Sequence, residues 1–282
     1  MDSEKLLIIG CGDLGRRLAG QLAGSGMAVT GVRRNPPKAT DELQYRALDA
    51  SDERAMTALL AEGFDHIVLT LTPAERSESG YHTGYVVPCQ TLVRALAAAG
   101  KMPRRVLFVS STAVYGENNA EWIDETTPPQ PARFNGEQVL AAEQVLRDAN
   151  LPLSVLRLSG IYGPGRSRLI DRVRHGNAAP KPSWTNRIHA DDAAGFMAYL
   201  LREVPEPQPL YLVSDSEPVP YAEVVTYIAD CLGVSLPASV PAEGMNKRID
   251  NRRLCASGYQ LRYRDYREGF AELLGATDTI IA

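Results

Sequence analysis

The chain has 282 residues, of which 44% are hydrophobic and 23% are charged, the ordinary balance of a globular protein with a substantial core. Its formal net charge of −4 argues against general nucleic-acid binding, which usually shows as a basic excess. No apolar run approaches the roughly 18 residues that a membrane-spanning helix needs, and the opening residues lack the basic stretch of a signal peptide, so we expect no membrane partner.

Along the first 165 residues, short apolar runs alternate with helical patterns. Six segments are predicted as strands: KLLIIG, MAVTGVRR, a weaker YRALDAS, DHIVLTLTP, RVLFVSS and LPLSVLRLSG. The segments between them are predicted as helices. Because strands that are apolar throughout are typical of sheets buried on both faces, the sequence predicts an α/β fold with a parallel sheet and crossover helices. After Gly165 the pattern loosens, which indicates a smaller second domain.

A glycine-rich turn follows the first strand. IIGCGDLG places Gly10, Gly12 and Gly15 at G-x-G-x-x-G spacing, directly before a helix. Glycines let the backbone approach a pyrophosphate closely, and the helix start supplies N–H donors and a favourable dipole. We therefore predict dinucleotide binding by the glycines, with Asp13 and Leu14 at the helix start. The alternative is a turn needed only for close packing of the helix on the strand.

The end of the second strand distinguishes the two nicotinamide dinucleotides. A carboxylate there hydrogen-bonds the ribose of NAD, whereas arginine accommodates the 2′-phosphate of NADP. The sequence GVRRNPPK places Arg33 and Arg34 at this point, and guanidinium groups suit phosphate oxygens. We predict NADP(H), with NAD as the less favoured cofactor and two solvated surface arginines as the alternative. Asp49, after the third strand, is predicted to contact the adenine or to cap the next helix.

The cysteines of the chain are Cys11, Cys89, Cys231 and Cys255. They lie far apart and form no metal-ligand spacing, so we predict no metal site and interpret them as reduced thiols of a cytoplasmic protein. Cys11 lies inside the glycine turn, where a helix start can activate a thiol. We interpret it instead as a small residue that fits the turn.

Three later motifs, FVSSTAVYG, LRLSGIYGPGR and RIHADDAA, occur in the order and spacing of the extended short-chain dehydrogenases/reductases. The chain resembles the nucleotide-sugar epimerases and dehydratases of that superfamily over nearly its whole length. The resemblance implies a Rossmann domain, a doubly wound sheet of about seven parallel strands, over 1–165, with 187–215 returning to it. It also implies a smaller C-terminal α/β domain that binds the substrate, made of 166–186 and 216–282.

The resemblance also implies functional residues. Ser111 matches the active-site serine or threonine that hydrogen-bonds the reacting substrate oxygen. Leu71, Thr72 and Pro73 match positions near the nicotinamide ribose, and the turn from Ser159 to Tyr162 matches positions near the nicotinamide ring. His189 and Asp191 match a family motif that is mainly structural.

The helix after VYG normally carries a catalytic tyrosine and lysine four residues apart, and a frequent glutamate four residues later. With Glu143 as the anchor, the tyrosine and lysine positions hold Asn135 and Val139; shifted by one residue, they hold Phe134 and Gln138. None of these can act as the family's general acid/base. The chain therefore resembles the atypical branch of the superfamily.

Other polar side chains are predicted near the carboxyl ends of the strands, where open α/β sheets have their sites. They are Tyr81, His82, Tyr85, Tyr115, Tyr162 and His189. Tyr85 is the candidate that we select for the missing acid/base, with simple space filling as its alternative, and Tyr115 is expected to pack beneath the turn. A basic segment, KRIDNRR at 247–253, is predicted to meet a phosphorylated substrate or to form a solvated loop.

Two functions follow as hypotheses. The first is an NADP(H)-dependent oxidoreductase or epimerase/dehydratase-like enzyme that acts on a small polar or nucleotide-linked substrate through a non-standard acid/base. The second is an NADP(H)-binding sensor or structural protein without turnover, which the missing tyrosine and lysine favour. A hydroxyacid-type dehydrogenase would leave the three later motifs unexplained. The sequence leaves open whether the chain is a monomer or a homodimer.

Overall fold

The computed structural model describes residues 3–39, 43–242 and 246–275. The strands are β1 (Lys5–Ile9), β2 (Ala28–Arg33), β3 (Gln44–Ala47), β4 (His66–Leu69), β5 (Arg105–Ser111), β6 (Glu121–Ile123), β7 (Leu153–Leu158), β8 (Gly160–Tyr162), β9 (Trp184–Thr185), β10 (Arg187–His189), β11 (Leu210–Val213), β12 (Val219–Pro220) and β13 (Lys247–Ile249). The helices are α1 (Asp13–Gln21), α2 (Glu53–Leu60), α3 (Glu78–Tyr81), α4 (Val87–Ala99), α5 (Phe134–Asp148), α6 (Arg168–Arg174), α7 (Ala190–Arg202), α8 (Tyr221–Leu232), α9 (Arg252–Ala256) and α10 (Tyr266–Leu274). A π-helical turn spans His82–Val86, and a 3₁₀ turn spans Thr112–Val114.

The predicted α/β fold is confirmed. Seven parallel strands form one sheet in the order β11-β7-β5-β4-β1-β2-β3. The order reverses between β1 and β4, which makes the sheet doubly wound in the Rossmann manner. In β1 every residue from Leu6 to Ile9 is at most 1% exposed, as expected for a strand covered on both faces.

The described residues fold into two compact units. The first comprises residues up to Tyr115, Pro129–Arg157 and Ala194–Tyr211; the second comprises Gly116–Pro128, Leu158–Ala193 and the residues from Leu212 onward. The predicted bounds differ from these at 116–128, at 158–165 and at the two ends of 187–215. The reason lies in small sheets within the second unit: β6 pairs with β13, and β8 pairs with β10.

The two units have separate apolar cores. The core of the first unit joins the sheet to α2, α4 and α5 and includes Leu7, Ile67, Leu92 and Phe108. The core of the second unit joins α6, α8 and α10 and includes Val173, Ile228 and Phe270. Within the described ranges no helix is both long and apolar enough to cross a membrane.

The helical segment between β4 and β5 begins earlier than the sequence predicts. The structure begins it at α3 and continues through the π-helical turn into α4, whereas the helical pattern PCQTLVRALAAAG predicts a start at Pro88. Gly80 and Gly84 lower the helix propensity here. Both are explained by close approaches, since a Cβ would lie 2.5 Å from the carbonyl oxygen of Glu75 at Gly80 and 2.7 Å from the Cα of Pro73 at Gly84.

Candidate functional site

A cavity of about 340 Å³ lies in the first unit, at the carboxyl ends of β1 to β4. This is the point of strand-order reversal, where open α/β sheets bind their ligands. Its walls are formed by the turns after these strands and by the start of the helical segment after β4. The lining residues are Gly10, Gly12, Val32, Arg33, Arg34, Asn35, Leu48, Asp49, Ala50, Ser51, Leu71, Thr72, Ala74, Thr83, Gly84 and Pro88.

The three glycines of the first turn have different roles. Gly10 has a φ of +79°, and a Cβ on it would lie 3.0 Å from the carbonyl oxygen of Thr70. A Cβ on Gly15 would lie 2.9 Å from the Sγ of Cys11, so this glycine is needed for close packing of α1 on the sheet. A Cβ on Gly12 would meet only the carbonyl oxygen of Gly10, at an ordinary contact distance of 3.8 Å, and Gly12 lines the cavity, so its missing side chain leaves this part of the cavity wall to a ligand.

The start of α1 fits a pyrophosphate. Gly12 is its N-cap residue, and no side chain of the described residues caps the helix. The first backbone N–H groups of a helix lack intrahelical partners and favour anions. Leu14 is buried and can contribute only its backbone, whereas the Asp13 side chain is ion-paired with Arg17 at 3.1 Å.

Cys11 is a packing residue in this structure, as the sequence interpretation holds. Its side chain is fully buried, and burial raises the pKa of its thiol to about 11. Its backbone N–H donates to the carbonyl oxygen of Val32, 3.0 Å away. A thiol that stays protonated at neutral pH is a poor nucleophile. The thiol of Cys11 is therefore not activated by the helix start.

The cavity has a cationic side at the end of β2. Arg33 is half-buried and Arg34 is exposed, and both line the cavity beside Asn35. Asp49, after the neighbouring strand β3, also lines the cavity, and its Oδ1 accepts a hydrogen bond from the backbone N–H of Ser51 at 2.9 Å. The cap of α2 is Asp52, which accepts from the N–H of Ala55, so the alternative role of Asp49 as a helix cap is wrong.

The segment after β4 forms the opposite wall. Leu71 and Thr72 line the cavity, while Pro73 packs against Gly84. The preceding Thr70 donates its hydroxyl hydrogen to the carbonyl oxygen of Gly10 at 3.0 Å, which ties this segment to the glycine turn. The nicotinamide-ribose role of Leu71, Thr72 and Pro73 stays a prediction.

Ser111 ends β5 in the first unit and has a hydroxyl suited to binding a substrate oxygen. Its Oγ accepts a hydrogen bond from the N–H of Ala113 at 3.1 Å. This bond uses a lone pair of the hydroxyl and leaves its hydrogen available for donation. The role of Ser111 in binding a substrate oxygen stays a prediction.

Tyr85 is less suited to proton transfer than the sequence suggests. Its ring packs against the core of the first unit and stacks on Tyr81, with 5.7 Å between ring centroids. Burial raises the pKa of its phenol to about 12. An acid/base works best with a pKa near the working pH, so this shift favours the space-filling alternative.

Two alignments put the family's tyrosine and lysine positions at the start of α5, and together they involve four side chains of this helix. Val139 is buried, Asn135 and Gln138 are half-buried, and Phe134 is 37% exposed. The helix contains neither tyrosine nor lysine along its length.

Below α5 lies a buried polar network that the sequence analysis missed. The guanidinium of Arg157 donates to both carboxylate oxygens of Glu143, at 2.9 and 2.6 Å, and to the hydroxyl of Tyr115 at 2.6 Å. Ser110 donates its hydroxyl hydrogen to the same carboxylate. Tyr115 is fully buried, in agreement with its expected packing role. The network fixes β5 and β7 to α5 directly beside Ser111.

In the second unit, the turn predicted to lie near the nicotinamide ring begins at Ser159, whose buried Oγ has no hydrogen-bond partner among the described residues. Tyr162 is buried, stacks on Phe270 and donates its hydroxyl hydrogen to the carbonyl oxygen of Asp265 at 3.3 Å. Its ring therefore belongs to the apolar core of this unit. Cofactor contact by Ser159 and Tyr162 stays a prediction.

The second unit also contains the motif HADD. His189 is 1% exposed, and the backbone N–H of Asp191 donates to its Nδ1 at 3.2 Å. Asp192 accepts hydrogen bonds from the backbone N–H groups of Arg262 and Tyr263 and from the hydroxyl of Tyr259. These contacts connect α7 to the segment before α10, so the motif is structural within this unit.

The segment KRIDNRR is only partly solvated. Lys247 is 4% exposed, and burial lowers the pKa of its ammonium to about 8. Arg248 lies between the rings of Trp122 and Trp184, 4.8 and 5.0 Å from their centroids. Arg252, by contrast, is exposed and pairs with Asp250. A wholly solvated basic loop is therefore wrong, because β13 is paired with β6. Within the ranges given above, no cluster of three or more His, Cys, Asp or Glu side chains is arranged to bind a metal.

Comparison with known proteins identifies the family. The model of the NAD dependent epimerase/dehydratase family matches residues 6–213. Protein YeeZ of Escherichia coli K12 is 31% identical over 279 residues, with 93% of this chain and 97% of YeeZ covered.

Solved structures agree. A Methylobacillus flagellatus structure, described as a candidate NAD-dependent epimerase/dehydratase, is 38% identical with a TM-score of 0.83 and covers 98% of this chain and 100% of its own. The UDP-glucuronic acid 4-epimerase of Bacillus cereus, in complex with NAD, has a TM-score of 0.80 at 17% identity, with 97% of each chain covered, and shows the shared fold. The family depends on a nicotinamide cofactor, and the open wall at Gly12 with the uncapped start of α1 fits one. The chain belongs to the NAD-dependent epimerase/dehydratase family.

Proposed function

We propose that this protein is an NADP(H)-dependent oxidoreductase or epimerase-like enzyme that acts on a small polar or nucleotide-linked substrate. The observation that carries the proposal is the cavity of the first unit, which combines the glycine turn with Arg33 and Arg34. The glycine turn suits a pyrophosphate, and the two guanidinium groups suit the 2′-phosphate that distinguishes NADP from NAD. Asp49 lies on the third strand's turn, where it suits the adenine edge.

The cofactor supplies the redox chemistry, since a bound nicotinamide exchanges a hydride with a substrate carbon. The protein must then bind the substrate oxygen and move its proton. Ser111 is proposed to donate its hydroxyl hydrogen to that oxygen, since the hydrogen bond from the N–H of Ala113 occupies only one of its lone pairs and leaves the hydrogen available. Leu71, Thr72 and Pro73 of the first unit are proposed to surround the nicotinamide ribose.

The proton transfer is proposed to use a non-standard group. Helix α5 has Asn135 and Val139, or Phe134 and Gln138, where the family's tyrosine and lysine are expected. None of these four side chains gains or loses a proton by titration near neutral pH, so none can act as a general acid or base. The raised pKa of Tyr85 argues against that phenol as the substitute.

The substrate class is supported by relatives. The Bacillus cereus relative is a UDP-glucuronic acid 4-epimerase, so the shared fold accommodates a nucleotide-linked sugar in that protein. That relative is in complex with NAD, whereas the basic residues at the end of β2 favour NADP in this chain.

The proposal is tested by fluorescence titration with NADPH and NADH, followed by a turnover screen against nucleotide sugars and small carbonyl compounds. We expect tighter binding of NADPH, and turnover that falls in Ser111→Ala without a change in NADPH affinity. Tighter binding of NADH would refute the NADP preference. Equal turnover of Ser111→Ala and the unmodified protein would refute the role of Ser111.

A second candidate function is an NADP(H)-binding sensor without turnover, and the composition of α5 favours it. It predicts NADPH binding together with no reaction on any compound of the screen.

A cytoplasmic location is also proposed, supported by the free state of the four cysteines. A homodimer stays the alternative to a monomer, and light scattering distinguishes them.

A further inference from the structure

A histidine on the π-helical turn is hydrogen-bonded to α5. Nδ1 of His82 lies 3.0 Å from Oε1 of Gln138. An amide oxygen can only accept, so Nδ1 carries the hydrogen and donates it. In the neutral ring this leaves Nε2 unprotonated, and His82 is exposed. The arrangement is that of an imidazole held through one nitrogen so that the other can accept a proton.

Helix α5, which carries Gln138, contacts the turn that follows Ser111. Gly136, two residues before Gln138, is packed so tightly that a Cβ on it would lie 2.2 Å from the carbonyl oxygen of Ala113. Ala113 in turn binds the Oγ of Ser111 through its N–H. The first turn of α5 is therefore adjacent to the turn that begins at Ser111, and Gln138 follows that first turn directly.

The other side of the histidine's turn meets the wall of the cofactor cavity. Gly84 is packed on Pro73, and Thr83 and Gly84 line the cavity itself. His82 thus belongs to the segment between the cavity and α5.

The turn is held rigidly, as an acid/base group requires. Tyr81 stacks on Tyr85 and packs edge-on against Phe134 of α5, each with 5.7 Å between ring centroids. The hydroxyl of Thr83 donates to the carbonyl oxygen of Ser79 at 3.0 Å. Single π-helical turns inside helices often occur at functional sites, because they redirect a side chain from its usual direction.

We propose that His82, oriented by Gln138, is the acid/base that replaces the missing tyrosine and lysine. The assignment rests on the proposed function. When a substrate carbinol is oxidised, its C–H hydrogen leaves with both electrons as hydride to the oxidised nicotinamide, and its O–H proton passes to Nε2 of His82. The C–O bond becomes a carbonyl and the ring becomes an imidazolium. In the reverse direction the imidazolium returns the proton as the carbonyl carbon receives hydride. Gln138 is a positioning residue.

The first test is nuclear magnetic resonance of the imidazole nitrogens, which needs neither cofactor nor substrate. The chain has four histidines, so the signals are few, and His82→Gln assigns the one of interest. We expect His82 in the tautomer with hydrogen on Nδ1. Gln138→Leu should abolish that preference, and Gln138→Glu should restore it. The opposite tautomer in the unmodified protein, or no change in Gln138→Leu, would overturn the proposal.

The second test measures turnover and NADPH affinity in the same variants. We expect His82→Gln to lower kcat by about 100-fold or more, the usual scale of general acid/base catalysis, and to leave NADPH affinity unchanged. Gln138→Leu should lower kcat less, with recovery in Gln138→Glu. His175→Gln is the matched control, since His175 is an exposed histidine at the end of α6 and should retain full activity.

The outcomes separate this proposal from the one on which it rests. An active protein whose His82→Gln variant keeps its kcat overturns the role of His82 alone. A protein that binds NADPH but reacts with no compound overturns the enzymatic half of the proposed function and the acid/base role together. A protein that binds neither dinucleotide overturns the proposed function at its cofactor.

Discussion

The guanidinium of Arg157 donates two hydrogen bonds to the carboxylate of Glu143, and both side chains are almost completely buried, 3% and 0% exposed. Burial alone would lower the pKa of Arg157, but the carboxylate outweighs it and keeps that pKa raised. The pair also binds Tyr115 and Ser110, so it connects α5 and β7 to the strand that ends at Ser111. A buried charge pair of this kind specifies which surfaces meet, because each charge is costly without the other.

Glu143→Gln is therefore expected to destabilise the protein by about 3–5 kcal/mol, since it leaves the Arg157 charge buried without its counter-ion. Replacing both residues in Glu143→Leu with Arg157→Met should cost less than this single change. Arg147→Ala is the control, because Arg147 touches the same carboxylate at 3.6 Å from a partly exposed position and should cost about 1 kcal/mol or less. Urea denaturation measures the free energy of unfolding of all three variants. A double variant less stable than Glu143→Gln would contradict the argument.

The second prediction concerns the choice between NADPH and NADH, which we assign to Arg33 and Arg34 at the end of β2. Arg33→Ser and Arg34→Ser should each weaken NADPH binding by about 10-fold or more, because a charge-assisted hydrogen bond contributes about 1.5–3 kcal/mol. NADH lacks the 2′-phosphate, so its affinity should change little.

The control for this pair is Arg54→Ser, which removes an exposed arginine that does not line the cavity. It separates direct contact from a general loss of positive charge. Fluorescence titration measures the dissociation constants. Equal losses for NADPH and NADH in the Arg33 and Arg34 variants would show that the arginines do not read the 2′-phosphate.

A third prediction concerns the close approach of α5 to the turn after Ser111. Gly136→Ala would place a methyl group 2.2 Å from the carbonyl oxygen of Ala113, so the helix or the turn must move. We expect a loss of about 1–3 kcal/mol, the usual cost of overpacking, together with reduced turnover.

Gly20→Ala is the matched control, since Gly20 lies in α1 and a Cβ on it meets nothing within 4 Å. There the substitution should raise stability by about 0.5–1 kcal/mol, because alanine favours helix more than glycine does. Thermal denaturation compares the two variants, and a harmless Gly136→Ala would contradict the close approach.

The sequence predicts those parts of the molecule that depend on local patterns. The glycine turn is recognisable because Gly10, Gly12 and Gly15 act within one strand–turn–helix unit, and the buried strands are recognisable by their continuous apolar runs. The Glu143–Arg157 pair is different, because it joins residues on two elements with no periodicity that links them. The family resemblance singles out Glu143, but only the three-dimensional structure shows that Arg157 is its partner.

Long-range pairing of short strands is equally hidden. Strands β6 and β13 have three residues each and pair Trp122 with Arg248 across more than a hundred residues of chain. Neither is long enough to show the alternation that identifies a strand. The burial of Lys247 follows from this pairing, and a run of basic residues gives no sign of it.

That burial leads to the last prediction. Lys247 is 4% exposed, and desolvation lowers the pKa of its ammonium to about 8, against the opposing influence of the Glu117 carboxylate. Below pH 8 the lysine is charged in both the folded and the unfolded chain, so its desolvation cost is present in full, about 3 kcal/mol. Between pH 8 and about 10.5 the unfolded chain binds more protons than the folded one, so stability rises with pH across this window.

Lys247→Met should remove that rise in stability. The free energy of unfolding, measured by urea at pH 7, 8, 9 and 10, should therefore increase with pH in the unmodified protein relative to the variant. Lys101→Met, at an exposed position, should leave the pH dependence unchanged, and a constant difference between unmodified protein and Lys247→Met would show that the lysine keeps an ordinary pKa.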